Sequence, residues 1–153
     1  MKQPKPQSSE LKDCPFCKPL SPHLILKNYR HWTLILDENQ VTLGWSLAIH
    51  KGHIEFFEQL KIEELAELKA IVKELKSALN KTFKPDWFNV MQCGNMVHHL
   101  HFHLAPRYKA KREFEGTEFI DTNYGRMPDT KWAPKDKKLL TKLRDELKRK
   151  LPK

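Results

Sequence analysis

No apolar run in this chain approaches the roughly 18 residues that a bilayer-spanning helix needs, so no transmembrane helix is expected. The N-terminus, MKQPKPQSSELKD, has no hydrophobic stretch of the kind a secretory signal carries. Cysteine is scarce and odd in number, at three: Cys14 and Cys17 form a CPFC motif and Cys93 stands alone. Without a secretory signal a structural disulfide is the poorer use of the pair, and a cytoplasmic setting is expected. Cys93 reads as a small core residue. The chain lacks internal repeats, and it lacks low-complexity sequence beyond its first dozen residues.

What is present fits one domain of 153 residues, long enough to bury a real core. The net charge of +9 favours anionic partners: nucleotides, polyphosphates or nucleic acid. Much of it sits after Tyr108, where Lys109, Lys111 and Arg112 lead to a Lys/Arg-dense end that can serve solubility alone. Residues 1–12 are rich in Lys, Pro, Gln and Ser and are expected to be disordered. Residues 13–108 read as the domain core and 109–153 as an extension.

Three short runs read as strands: His23 to Tyr29, Trp32 to Asp37 and Gly44 to Lys51, with a hairpin-type turn at Glu38-Asn39-Gln40. From Ile62 to Phe83 the period changes to that of an amphipathic helix, with Leu65, Leu68, Val72, Leu75 and Leu79 as its stripe. Pro85 ends it. Trp87 to Gln92 is a further strand, and the Gly94-Asn95 turn makes it an antiparallel neighbour of the next. Pro106 should end or edge that strand. Residues 109–133 read as an extended surface segment. Pro134 to Leu151 reads as a second helix with Pro134 in its first turn, a leucine stripe and a basic exterior. Such an exterior suits a solvated face better than nucleic acid.

The stretch Val97-His98-His99-Leu100-His101-Phe102-His103-Leu104 holds four of the eight histidines. His99, His101 and His103 alternate with large apolar residues, which is the pattern of a half-buried strand. Their rings stand on one face, about 6.5–7 Å apart along the strand. Each imidazole then needs a hydrogen-bond partner, a metal or a ligand. Two chemistries compete: metal binding, and nucleophilic attack by an imidazole on phosphorus. Cys14 and Cys17 offer two thiolates toward a Cys₂His₂ zinc site, for which His53 and His99 are candidates on spacing. His98 points away from the row.

His99-Leu100-His101-Phe102-His103-Leu104-Ala105 resembles the signature of the histidine triad (HIT) superfamily. The flanks agree: Asn89, Gly94-Asn95-Met96-Val97 and Pro106-Arg107-Tyr108, with CPFC and Lys51-Gly52-His53 earlier. The likeness covers residues 14–108. It implies an α+β fold with a five-stranded antiparallel sheet and a long helix, to which the C-terminal helix is an addition, and a homodimer. It implies hydrolysis or transfer at the α-phosphate of a dinucleoside polyphosphate or nucleoside phosphoramidate. In this resemblance His101 is the nucleophile, His103 helps bind the phosphate and Asn95 lies near the scissile phosphate. Asp37 holds the ribose, Phe16 and Leu36 line the base pocket, and Val97 also belongs to the nucleotide site. Structural zinc takes Cys14, Cys17, His53 and His99, which would remove His99 from service as a free general acid. Three positions depart from the pattern: Trp45, where histidine is common after the glycine, His50, where proline is common, and Met96. A purine-nucleotide-binding regulatory module and a processor of adenylylated DNA ends are the competing functions.

Overall fold

A computed structural model describes residues 13–129, 131–132 and 134–153; the expected disorder of residues 1–12 lies outside them. Five strands form one antiparallel sheet: β1 (Ile25–Asn28), β2 (Trp32–Leu36), β3 (Ser46–His50), β4 (Trp87–Gln92) and β5 (His101–Arg107). Their spatial order is β1-β2-β3-β5-β4. The long helix α1 (Ile62–Thr82) connects β3 to β4, and α2 (Lys137–Lys150) follows a small hairpin, β6 (Arg112–Phe114) and β7 (Thr117–Phe119). This is the α+β architecture expected.

Register and alternation sort the side chains into two faces. Thr33, Ile35, Leu47, Ile49, His101 and His103 share one face, while Trp32, Leu34, Leu36, Ser46, Ala48, Phe102 and Leu104 share the other. The second face meets α1. The Trp32 indole donates to the Glu64 carbonyl at 2.9 Å, and Leu68, Ile71, Leu75, Ala78 and Leu79 of α1 are buried. The buried stripe is turned from the expected one: Ile71 and Ala78 are inside, whereas Leu65 is exposed. Lys27 bridges Glu74 of α1 and the Pro152 carbonyl beyond α2, so both helices lie against β1 on the same side. The histidine face therefore carries neither helix.

Several boundaries differ from the sequence reading. The β2–β3 connection is longer than a tight hairpin, because the pairing stops at Leu36 and Ser46. Gln40 ties that loop together through the carbonyls of Asp37 and Trp45 and the Gly44 N–H. Gly44 is required there. Its φ is +93°, and a Cβ would lie 2.5 Å from Leu79 Cδ2. Pro106 does not end β5 but lies within it, opposite Phe88, in the part that is paired on one side only, as an edging proline would be. Pairing with β3 stops at Leu104, so β3 requires no N–H from residue 106. The segment 109–133 contains the β6–β7 hairpin, turned at Glu115 and Gly116 with φ of 51° and 75°. Helix α2 begins after Pro134, because the Asp136 carboxylate caps it by accepting the Leu139 N–H. Cys93 is exposed, on the bend after β4, and is not a core residue. Among the described residues no helix is long and apolar enough to cross a membrane.

Candidate active site and metal centre

The first triad histidine does not face the same surroundings as the other two. His99 precedes β5, in a segment pinned by the Leu100 N–H to the Ile54 carbonyl and the His50 N–H to the Leu100 carbonyl. Its Nε2–H donates to the His50 carbonyl at 2.7 Å. That bond fixes the tautomer and leaves Nδ1 bare. Nδ1 lies 3.4 Å from Cys14 Sγ and 3.6 Å from Cys17 Sγ, and His53 Nδ1 lies 3.1 Å from Cys17 Sγ.

All four candidate ligand atoms lie within 4.8 Å of one another. A tetrahedral zinc with Zn–S of about 2.3 Å and Zn–N of about 2.0 Å asks for ligand atoms about 3.3–3.8 Å apart. Cys14 and Cys17 are free thiols. The donor set, its spacing and the His50 partner of His99 thus fit structural zinc held by Cys14, Cys17, His53 and His99. Without metal, desolvation and the neighbouring Cys14 push the Cys17 thiol up to about 11. Metal binding must therefore displace protons.

His101 and His103 open the other way. The His101 Nδ1–H donates to the His99 carbonyl at 2.6 Å, so Nε2 carries a lone pair. Phe16 packs on this ring in a T-shaped arrangement, at 4.9 Å between centroids, and likewise on His99 at 5.7 Å. The His101 and His103 rings are 5.1 Å apart. Burial lowers the pKa of both. His103 falls to about 4, with the neighbouring His101 adding to the effect. Burial thus favours the neutral form of both rings.

Asp37 lies just beyond β2, its N–H bonded to the Trp45 carbonyl at 3.0 Å. Its carboxylate accepts the Asn39 N–H at 2.9 Å. Burial raises it to about 6, against the lowering effect of that hydrogen bond. Asn95 is exposed and Val97 half-buried on the bend between β4 and β5, and His98 is exposed beside them. Leu36 is not brought to this site. It is 0 % exposed and sits on the helix-facing side with Leu34 and Leu104.

Two residues were visible in the sequence only as flanks or departures. Trp45, buried just before β3, donates from its indole to His103 Nδ1 at 3.2 Å. Arg107 is buried at the end of β5. It clamps Asp121 through two bonds of 2.6 and 2.9 Å, and binds Asn89 and the carbonyls of Asn123 and Arg126. The pairing holds the segment after β7 against β4.

Comparison with known proteins places this geometry. The chain is 31 % identical over 108 residues to an uncharacterised HIT-like protein of Methanocaldococcus jannaschii, covering 65 % of this chain and 83 % of that one. It is 33 % identical over 112 residues to adenylylsulfatase HINT3 of Arabidopsis thaliana, covering 67 % and 57 %. The crystal structure of a Zn-bound histidine triad family protein from Mycobacterium smegmatis has the same fold, with a TM-score of 0.58 and 21 % identity over 83 % of this chain and 85 % of that one. The HIT domain model matches residues 20–110, and the chain belongs to the HIT family.

Proposed function

We propose that the protein is a nucleotide hydrolase or nucleotidyl transferase that works at the α-phosphate through a nucleotidyl-histidine on His101. One observation carries this reading: the 2.6 Å bond from His101 Nδ1–H to the His99 carbonyl, which leaves Nε2 free as a nucleophile. Attack forms an Nε2–P bond and breaks the bond from phosphorus to the leaving group, which departs with the electron pair. The imidazolium that results keeps its Nδ1–H on the His99 carbonyl. Water, or another acceptor, then attacks phosphorus. The N–P electron pair returns to His101; with water as acceptor a proton passes to solvent and the nucleoside monophosphate is released, and with another nucleophile the nucleotidyl group stays on it.

His103 binds and polarises the phosphoryl oxygens, a role of positioning and charge stabilisation. Asp37 takes the ribose hydroxyls and Phe16 the base side of the pocket. Asn95 and Val97 border the phosphate from the β4–β5 bend. The four-residue metal cluster would hold zinc, which ties the N-terminal CPFC segment to β5. The leaving-group proton comes from elsewhere than His99. The substrate class is a dinucleoside polyphosphate or a nucleoside phosphoramidate, and the name of the Arabidopsis relative adds adenylyl sulfate to the panel.

A turnover assay across these three substrate types is the test. His101→Asn should lower kcat by about 10⁴-fold or more with the fold intact. A folded His101→Asn protein with undiminished turnover would overturn the reading.

We also propose a homodimer built on β4, which is an edge of the sheet. Beside it Phe57, Ile62, Leu65, Val72, Val90 and Phe102 line an apolar groove of about 530 Å³. Ile62 is 81 % exposed and Val90 46 %, the kind of apolar surface that a partner subunit covers. Sedimentation should give a dimer that Val90→Asp converts to monomer; a monomeric wild type contradicts this.

A further inference from the structure

We propose that Trp45 is a positioning residue that sets the tautomer of His103, so that its Nε2–H faces the substrate as a hydrogen-bond donor. The indole N–H is a donor only and His103 Nδ1 lies 3.2 Å from it, so Nδ1 must accept. A neutral imidazole has one proton, and it is then on Nε2. The assignment deepens the function proposed above and rests on His103 as a phosphate-binding group.

The backbone that carries the indole is itself held in place. The Trp45 backbone N–H bonds to the Thr42 carbonyl at 3.2 Å, and the Trp45 carbonyl accepts both the Asp37 N–H and the Gln40 amide. Gln40 in turn accepts the Gly44 N–H at 2.8 Å. The positive φ of Gly44 immediately precedes Trp45. Trp45 is 3 % exposed, and its indole meets the His103 ring edge-on, with centroids 5.9 Å apart. The same residue therefore braces both parts of the open site: its carbonyl holds the backbone of Asp37, and its side chain holds His103.

A histidine at position 45 can donate to His103 only from whichever nitrogen carries its proton, and it can itself titrate. Tryptophan has neither freedom. The two neighbouring imidazoles are thereby held in opposite states: His101 has its proton on Nδ1 and offers a lone pair, while His103 has its proton on Nε2 and offers a donor. Attack on phosphorus needs both at once, a nucleophile and a group to receive the oxygen charge.

Two-bond ¹H–¹⁵N spectra of ¹⁵N-histidine-labelled protein, with His103 assigned by the His103→Asn variant, test this without substrate. Wild-type His103 should show a protonated Nε2 and a hydrogen-bonded, unprotonated Nδ1. In Trp45→Phe that Nδ1 signal should move to the position of an unbonded nitrogen. The kcat of Trp45→Phe should fall by about ten- to a hundredfold, as when an oriented imidazole loses its outer partner, with KM changed less than about twofold. Wild-type His103 protonated on Nδ1 would overturn the proposal whether or not the variant folds. So would a folded Trp45→Phe protein with an unchanged His103 signal and unchanged kcat. The expected wild-type spectrum in a protein that turns over no nucleotide would leave the tautomer assignment standing and sink the function proposed above.

Discussion

His99 and His103 are four residues apart, and their rings are used in opposite ways. At the His99 end the bare nitrogen turns inward to two thiols and a second imidazole, and the protonated one is spent on the His50 carbonyl. At the His103 end Nδ1 accepts from Trp45, and the other nitrogen is left for a ligand. His101 joins the two, with its proton on the carbonyl of one neighbour and its ring against the other. The difference teaches that a row of identical side chains is given distinct chemistry by the partner of the nitrogen that does not act. One end fits a structural metal, and on the proposed function the other receives the nucleotide.

The largest effect expected from breaking this contrast is at the closed end. Cys14→Ser combined with Cys17→Ser removes both thiols, so bound zinc should fall from about one per chain to none, with Tm lowered by about 10 °C. Metal analysis and thermal melting check this. Retention of one zinc, or an unchanged melt, would contradict the account. Turnover should fall as well, although neither thiol touches substrate, because the His99 carbonyl that orients His101 loses its anchor.

A smaller effect of opposite sign is expected at the open end. The Asp37 carboxyl sits at about 6 in the folded protein because of burial, against about 3.9 in an unfolded chain. Between those values the folded state binds more protons, so stability is lost as pH rises from about 4 to about 6. Above that range the buried carboxylate costs the fold its full penalty. Asp37→Asn cannot ionise and keeps an oxygen for the Asn39 N–H. It should therefore stabilise the protein at pH 8 by about 2 kcal/mol, a gap that narrows toward pH 5, while weakening nucleotide binding. Denaturant melts at the two pH values, paired with nucleotide titration, read both effects. A destabilised variant would show that the open end serves the fold as the closed end does.

Much of this division could be read in the sequence. The period-two histidines and the CPFC motif are dense signals, and the HIT resemblance ordered them into the zinc set that the folded chain brings together. Helix α1 was legible from its period, though its exposed Leu65 was not, because a helix that also borders an edge strand carries apolar residues on two sides. Leu36 was placed in the base pocket by the resemblance alone. Alternation itself contradicts that placement, since a residue beside one that faces the histidines must face away from them. The β6–β7 hairpin escaped because strands of three residues carry almost no periodicity. Only Glu115-Gly116 marked its turn. Trp45 could be noticed as a departure from the family pattern. Its role depends on a cross-strand contact 58 residues away in sequence, which no local pattern encodes.

The most direct test of the divided row is to quench the protein during turnover of an adenylyl substrate, without acid, and map the nucleotidyl group by mass spectrometry. The account predicts a single adenylyl adduct on His101 and none on His99 or His103. An adduct on His99 or His103, or turnover with no histidine adduct under conditions that preserve phosphoramidate bonds, would contradict it.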